Sequence, residues 1–115
     1  MSKRTPGLLL EDILNSIDKI SSYTSGISYD QFLADDKTID AVIRNFEIIG
    51  EAANRLPDEI RERYPKIDWH RIRGFRNRIV HDYMGIDYQT VWIITESFIP
   101  VLKEQIFKIV EDSRE

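Results

Sequence analysis

The sequence predicts an all-α protein, a four- to five-helix up-and-down bundle. Three observations carry this. Apolar residues recur at helical spacing along nearly the whole chain. Helix start and stop residues fall at the ends of those periodic stretches. No strand-like alternation survives, because the short apolar runs at 43–49 and 91–94 sit inside longer helical stripes. With 115 residues, 42% of them hydrophobic, the chain can build a core and is expected to form one domain spanning residues 1–115. A domain of this size leaves much surface exposed, so burying some of it in an oligomer is the expectation.

Each element follows in order. Thr5-Pro6 is a start signal, with threonine as N-cap and proline at the first helical position. Leu10, Ile13, Leu14, Ile17 and Ile20 keep helical spacing to about Tyr23, and Thr24-Ser25-Gly26 breaks it. Ser28 caps a short helix carrying Phe32 and Leu33. Asp35-Asp36 opens a long helix whose stripe is Ile39, Val42, Ile43, Phe46, Ile49, Ala53 and Leu56, ended by Pro57. Pro57-Asp58 begins a short helical turn to Tyr64, closed by Pro65. Asp68 is the N-cap of a helix running to about Met84, with Gly85 as its C′ residue. Asp87 caps the last helix, roughly residues 88–111, with Val91, Ile94, Phe98, Val101, Leu102, Phe107 and Val110 inward and a kink at Pro100.

Composition narrows the function classes. The chain has no cysteine, which removes disulfides, thiol catalysis and thiolate zinc sites. No apolar run approaches the ~20 residues of a membrane span, and the first residues do not read as a signal peptide. A soluble, cytoplasmic protein is the expectation. The net charge of -4 excludes a wholly basic nucleic-acid coat. Its distribution is uneven: between Trp69 and His81 stand Arg71, Arg73, Arg76 and Arg78, both histidines of the chain (His70 and His81) and no acid. This pattern points to a local anion site.

The segment Arg76-Asn77-Arg78-Ile79-Val80-His81-Asp82-Tyr83 is the centre of that region. Histidine titrates near neutrality and can take either proton role. Arginine stays charged and offers a planar fork to phosphate oxygens. Together they suit internal transesterification of RNA without a metal or any other cofactor. On one regular helix, Arg76 and Tyr83 share a face, and Asn77 lies one turn from His81, placed to orient its imidazole. Arg76 and His81 would stand roughly 140° apart. Two arrangements bring them together: a distorted helix end near Gly85, or two copies meeting across a two-fold axis. Spacing alone equally describes a solvated face, with an Arg78–Asp82 salt bridge and His81 as a C-terminal cation. By the same measure Tyr83 reads as a packing aromatic.

The segment resembles the signature of the HEPN superfamily: an arginine, a polar residue, a short spacer, then histidine. The tyrosine two residues after the histidine is similar to the HepT branch. The likeness extends to residues 45–57, to Ile67-Asp68-Trp69 with Ile72, Gly74 and Phe75, and to Met84-Gly85-Ile86-Asp87, covering roughly residues 39–106. The resemblance implies a helical, homodimeric, metal-independent ribonuclease toxin in which the motifs of two subunits line one cleft. By position it makes Arg76 and His81 the catalytic pair and Asn77 the supporting polar residue. It also implies a partner antitoxin of the MntA type, a nucleotidyltransferase that silences the toxin by transferring AMP to the motif tyrosine, here Tyr83. Added phosphate beside the cleft would repel RNA. Arg73 and Arg78 are further candidates for RNA contact.

Other residues carry bland and sharp readings side by side. Glu47 and Glu51 are one turn apart and could bind metal in a bundle core, but Arg44–Glu47 and Glu51–Arg55 are ready ion-pair spacings. His70 is a surface residue or an RNA contact with Arg73 or Arg71. Trp69 and Trp92 are core or interface anchors. Gly50 and Gly74, inside helices, mark close helix approach. A non-catalytic helical partner of a nucleotidyltransferase is the alternative to an enzyme.

Overall fold

A computed structural model describes residues 4–81 and 85–113, with the side chains of residues 76, 78, 80 and 81 excepted. It is dominated by helices in the order α1 (Pro6–Thr24), α2 (Tyr29–Leu33), α3 (Asp36–Arg55), α4 (Asp58–Arg63), α5 (Trp69–Arg73), α6 (Phe75–Ile79), α7 (Tyr88–Ile93) and α8 (Ile99–Asp112). The all-α class stands.

Most boundaries follow local chemistry. Thr5 accepts from the Leu8 amide at 3.2 Å and Pro6 opens α1. Gly26, at φ +76°, turns the chain out of it. Ser28 and Gln31 form a reciprocal capping box on α2. Asp35 caps α3 through the Thr38 amide at 3.2 Å and hydroxyl at 2.7 Å. That hydroxyl bond, ahead of the amide bond, holds the Asp35 carboxyl below its ordinary pKa. At the other end of α3, the Arg61 guanidinium donates to the carbonyls of Ala53 (3.1 Å) and Leu56 (2.6 Å) and pairs with Asp58.

The core runs between α1, α3 and the α7–α8 arm. Ile13, Ile17 and Ile20 from α1 are fully buried, as are Val42, Phe46 and Ile49 from α3 and Ile99, Leu102 and Ile106 from α8. Phe75 joins this core edge-on to Phe46 at 5.1 Å and to Phe98 at 5.9 Å. Trp69 is buried and donates to the Tyr64 carbonyl at 3.0 Å, which fixes the start of α5. Trp92 packs on Phe32 and Tyr29. Both tryptophans are therefore packing anchors.

Three expectations are corrected. The helix expected from Asp68 to Met84 is broken: Gly74 ends α5, α6 ends at Ile79, and the chain becomes extended. Val80 and His81 (β1) pair antiparallel with Ile86 and Gly85 (β2), and the Asp87 amide donates to the Ile79 carbonyl at 2.7 Å. Gly85 is thus a strand residue at φ +76°, not a helix terminator. The last helix is continuous but carries a π-helical turn at Ile94–Phe98, directly before Pro100. Proline has no N–H for the carbonyl four residues back and its ring crowds that carbonyl; the wider turn relieves both. Two hydroxyls serve carbonyls beside it, Thr95 to Val91 at 2.9 Å and Ser97 to Ile93 at 2.7 Å. The turn rotates α8, so Val101 and Phe107, expected inward, are 50% and 53% exposed, and Ile99, Ile106 and Ile109 are buried.

Candidate functional site

A groove of about 610 Å³ runs between α3 and the α5–α6 pair. Its α3 wall carries Glu47, Glu51 and Asn54; its opposite wall carries His70, Arg73 and Asn77. Phe46, Gly50 and Gly74 complete the lining. Helical phase explains the α3 wall: residues 47, 51 and 54 follow one another at i, i+4 and i+7.

Gly50 sets how closely the walls approach. A Cβ there would stand 3.2 Å from the Ile72 carbonyl oxygen, so α5 lies against α3 without an intervening side chain. The close approach expected at Gly50 is present. At Gly74 it is not: the nearest atom to a Cβ would be the His70 carbonyl of its own turn, and the glycine marks the α5–α6 break.

Electrostatics divide the groove lengthwise. Glu47 and Glu51 form no ion pair with Arg44 or Arg55 among the described residues, so the expected structural pairing is absent and both carboxylates face solvent. Arg73 donates from Nε to Asn54 Oδ1 at 2.9 Å, a bond crossing from α5 to α3. Arg71 points elsewhere. Its guanidinium sits 4.4 Å from the Phe98 ring centre, and its Nε is enclosed without a hydrogen bond. The arginine-rich stretch is therefore not one patch: Arg71 is spent on packing, and Arg73 faces the groove. No group of three or more His, Asp or Glu side chains comes together for a metal among the described residues.

The signature segment adjoins this groove through Asn77. Asn77 lines its edge, on α6, and is exposed. Arg76 and Arg78 are on α6, whereas His81 is on β1. The change from helix to strand falls between Ile79 and Val80, so the 140° separation drawn for a regular helix does not apply, nor does the one-turn spacing of Asn77 and His81. The helix ends at Ile79, six residues before Gly85. Tyr83 and Asp82 lie outside the described residues, and with them the Arg78–Asp82 pair; the continuous helix on which Arg76 and Tyr83 would share a face is not formed. Sequence reasoning passed over Asn54 as a groove residue. Its signal was positional, one helical turn beyond Glu51 and two beyond Glu47.

The comparisons with known proteins decide the family. Residues 13–109 match the family described as "HepT-like: Ribonuclease HepT-like". The chain belongs to the HepT-like family. Three relatives agree over nearly their whole length. The Methanocaldococcus jannaschii protein named "Putative RNase MJ0125" is 39% identical across 100% of this chain and 99% of its own. The "Probable ribonuclease HepT" of Thermococcus cleftensis is 37% identical across 93% of this chain and 97% of its own. The "Putative RNase TTE0752" of Caldanaerobacter subterraneus is 35% identical across 96% and 99%. No solved structure matches the chain. Among the described residues no helix is long and apolar enough to cross a membrane.

Proposed function

We propose that this HepT-like chain is a ribonuclease that cleaves RNA by internal transesterification, with Arg76 and His81 as its catalytic residues. The observation that carries the reading is the family match over residues 13–109, which contains the whole Arg76–Tyr83 signature. The RNA 2′-oxygen attacks phosphorus, the bond to the 5′-oxygen breaks, and a 2′,3′-cyclic phosphate and a free 5′-hydroxyl result. His81 takes the 2′ proton or gives one to the leaving oxygen. Arg76 holds the scissile phosphate and offsets its developing charge. Asn77 supports the pair from the groove edge, and Arg73 and Arg78 contact neighbouring phosphates. The reaction needs no metal.

The protein acts as the toxin of a toxin–antitoxin pair, in the cytoplasm and as a homodimer with two signature segments beside one cleft. Its antitoxin is an MntA-like nucleotidyltransferase that transfers AMP to Tyr83, and the added charge keeps RNA away. The case for two chains rests on the family resemblance, since the helical-angle argument has lost its premise.

The test uses purified wild type, Arg76→Ala and His81→Ala on single-stranded RNA with chelator present. Wild type should cleave and leave cyclic phosphate ends; each variant should lose at least about a hundredfold in rate. Full activity in either variant sinks the assignment, and dependence on added divalent metal sinks the mechanism. Co-expression with the antitoxin should raise the intact mass by AMP units on wild type and not on Tyr83→Phe. Sedimentation as a monomer at a concentration where RNA is cleaved would remove the dimer.

A further inference from the structure

We infer that the α3–α5 groove is a phosphate-anchoring subsite for single-stranded RNA, and that Asn54 is the positioning residue that aims Arg73 into it. The identity of the ligand rests on the ribonuclease reading; the geometry does not.

The Asn54–Arg73 bond is the starting point. Guanidinium has five N–H donors. The bond at 2.9 Å uses Nε alone and leaves the four on the Nη atoms, a fork suited to two phosphate oxygens. The acceptor is a neutral amide. A carboxylate in its place would fix the same direction and cancel the charge. Glu47 and Glu51 line the same groove, yet neither lies within ion-pairing distance of Arg73. Among the described residues, Arg73 is therefore a cation held in direction without a carboxylate partner, in the lining of a cavity.

The division of the walls gives the strand its orientation. Phosphates are repelled by Glu47 and Glu51 and drawn to Arg73, so the backbone follows α5, with His70 one turn before Arg73 on that wall. The bases turn toward α3, where carboxylates accept from base N–H groups. A groove of about 610 Å³ suits a short stretch of unpaired strand, which presents its base edges freely. Asn77 at the groove edge stands next to Arg76 in sequence, so a strand anchored here continues to the signature segment.

The test measures binding without cleavage. A fluorescent 2′-O-methyl RNA oligonucleotide lacks the attacking hydroxyl, so wild-type protein can be titrated with it over a range of salt. Each phosphate contact on a single strand contributes about 0.7 to the slope of log affinity against log salt. Arg73→Ala should bind about tenfold more weakly, with the slope smaller by about 0.7. Asn54→Asp keeps an acceptor and adds a charge; it should reproduce the loss of slope. Asn54→Ala should weaken binding by about threefold with the slope kept, as should Arg73→Lys. The positioning role is read from Asn54→Ala, which a merely structural role would leave at wild-type affinity in folded protein. Arg73→Ala with wild-type affinity and slope, or Asn54→Asp with wild-type slope, overturns the inference. Cleavage of unmodified RNA is followed in parallel: the expected binding pattern without cleavage removes the ribonuclease and leaves the groove, and cleavage with unaltered Arg73→Ala binding removes the groove alone.

Discussion

The α1–α3 pair and the run from α5 to β2 are built by opposite rules. In the first, two helices of 19 and 20 residues bury one stripe each, with a side-chain cap at each N-terminus. In the second, two five-residue helices meet at a glycine and give way to a two-residue ladder. The α1–α3 pair gains its stability from area removed from water, which periodicity records faithfully. The α5–β2 run spends backbone regularity on placing polar groups: Arg73 in the groove, Asn77 at its edge, and the signature arginine and histidine on different elements. Helix propensity there is weak, and tertiary contacts from Trp69, Ile72 and Phe75 decide the path.

Variants can break this contrast, and the expected effects fall in order. Phe46→Ala removes a fully buried ring that packs on Phe75 beneath the groove, and should cost about 3–5 kcal/mol by urea unfolding. Ile17→Ala empties the α1 side of the core and should cost about 2–5 kcal/mol, with RNA affinity unchanged in protein that remains folded. If Ile17→Ala weakens RNA binding as strongly as Arg73→Ala, the two regions are not separable. Gly50→Ala gains helix propensity of about 1 kcal/mol but presses a methyl on the Ile72 carbonyl, which Trp69 and Ile72 hold in the core. Overpacking should win by about 1 kcal/mol, read by thermal unfolding. Asp68→Ala, which removes the cap on the Arg71 amide, should cost about 1 kcal/mol.

The smallest effect depends on pH. Asp35 has a folded-state pKa below its ordinary 3.8, through the Thr38 hydroxyl first and the Thr38 amide next. A depressed carboxyl stabilises the fold above its unfolded value, and that contribution is lost as pH falls through the folded one. Thermal unfolding of Asp35→Asn should therefore differ from wild type at neutral pH and approach it as pH falls below 3.8. A constant difference across that range would show that the cap does not depend on the charge.

How much of this was legible follows the same division. Thr5-Pro6, Ser28, Asp35, Asp68 and Asp87 named their helix starts because a cap is a local bond between a side chain and an amide two or three residues on. The signature was legible as a string of residue types, and its family membership with it. Its geometry was not, because Ile79 to Asp87 pairs across the chain, and a two-residue ladder leaves no periodic trace. The outward turn of Val101 and Phe107 was hidden for a related reason: Pro100 announced a kink, but a kink says nothing of the rotation that a π turn adds. The Asn54–Arg73 bond joins residues 19 apart, which no local pattern links.

The small ladder has one more consequence, concerning time. Among the described residues, two residue pairs and the Asp87 amide hold it closed, against the many turns of α3. Opening so few bonds costs a small part of global unfolding, so the Asp87 amide should exchange with solvent by local opening while those of Phe46 and Ile49 wait for the whole molecule. Arg76 rides on a helix rooted in the core through Phe75, and His81 rides on the ladder. The spacing between them is then set by an equilibrium between closed and open ladder, whose balance any ligand bridging both elements would shift toward closure.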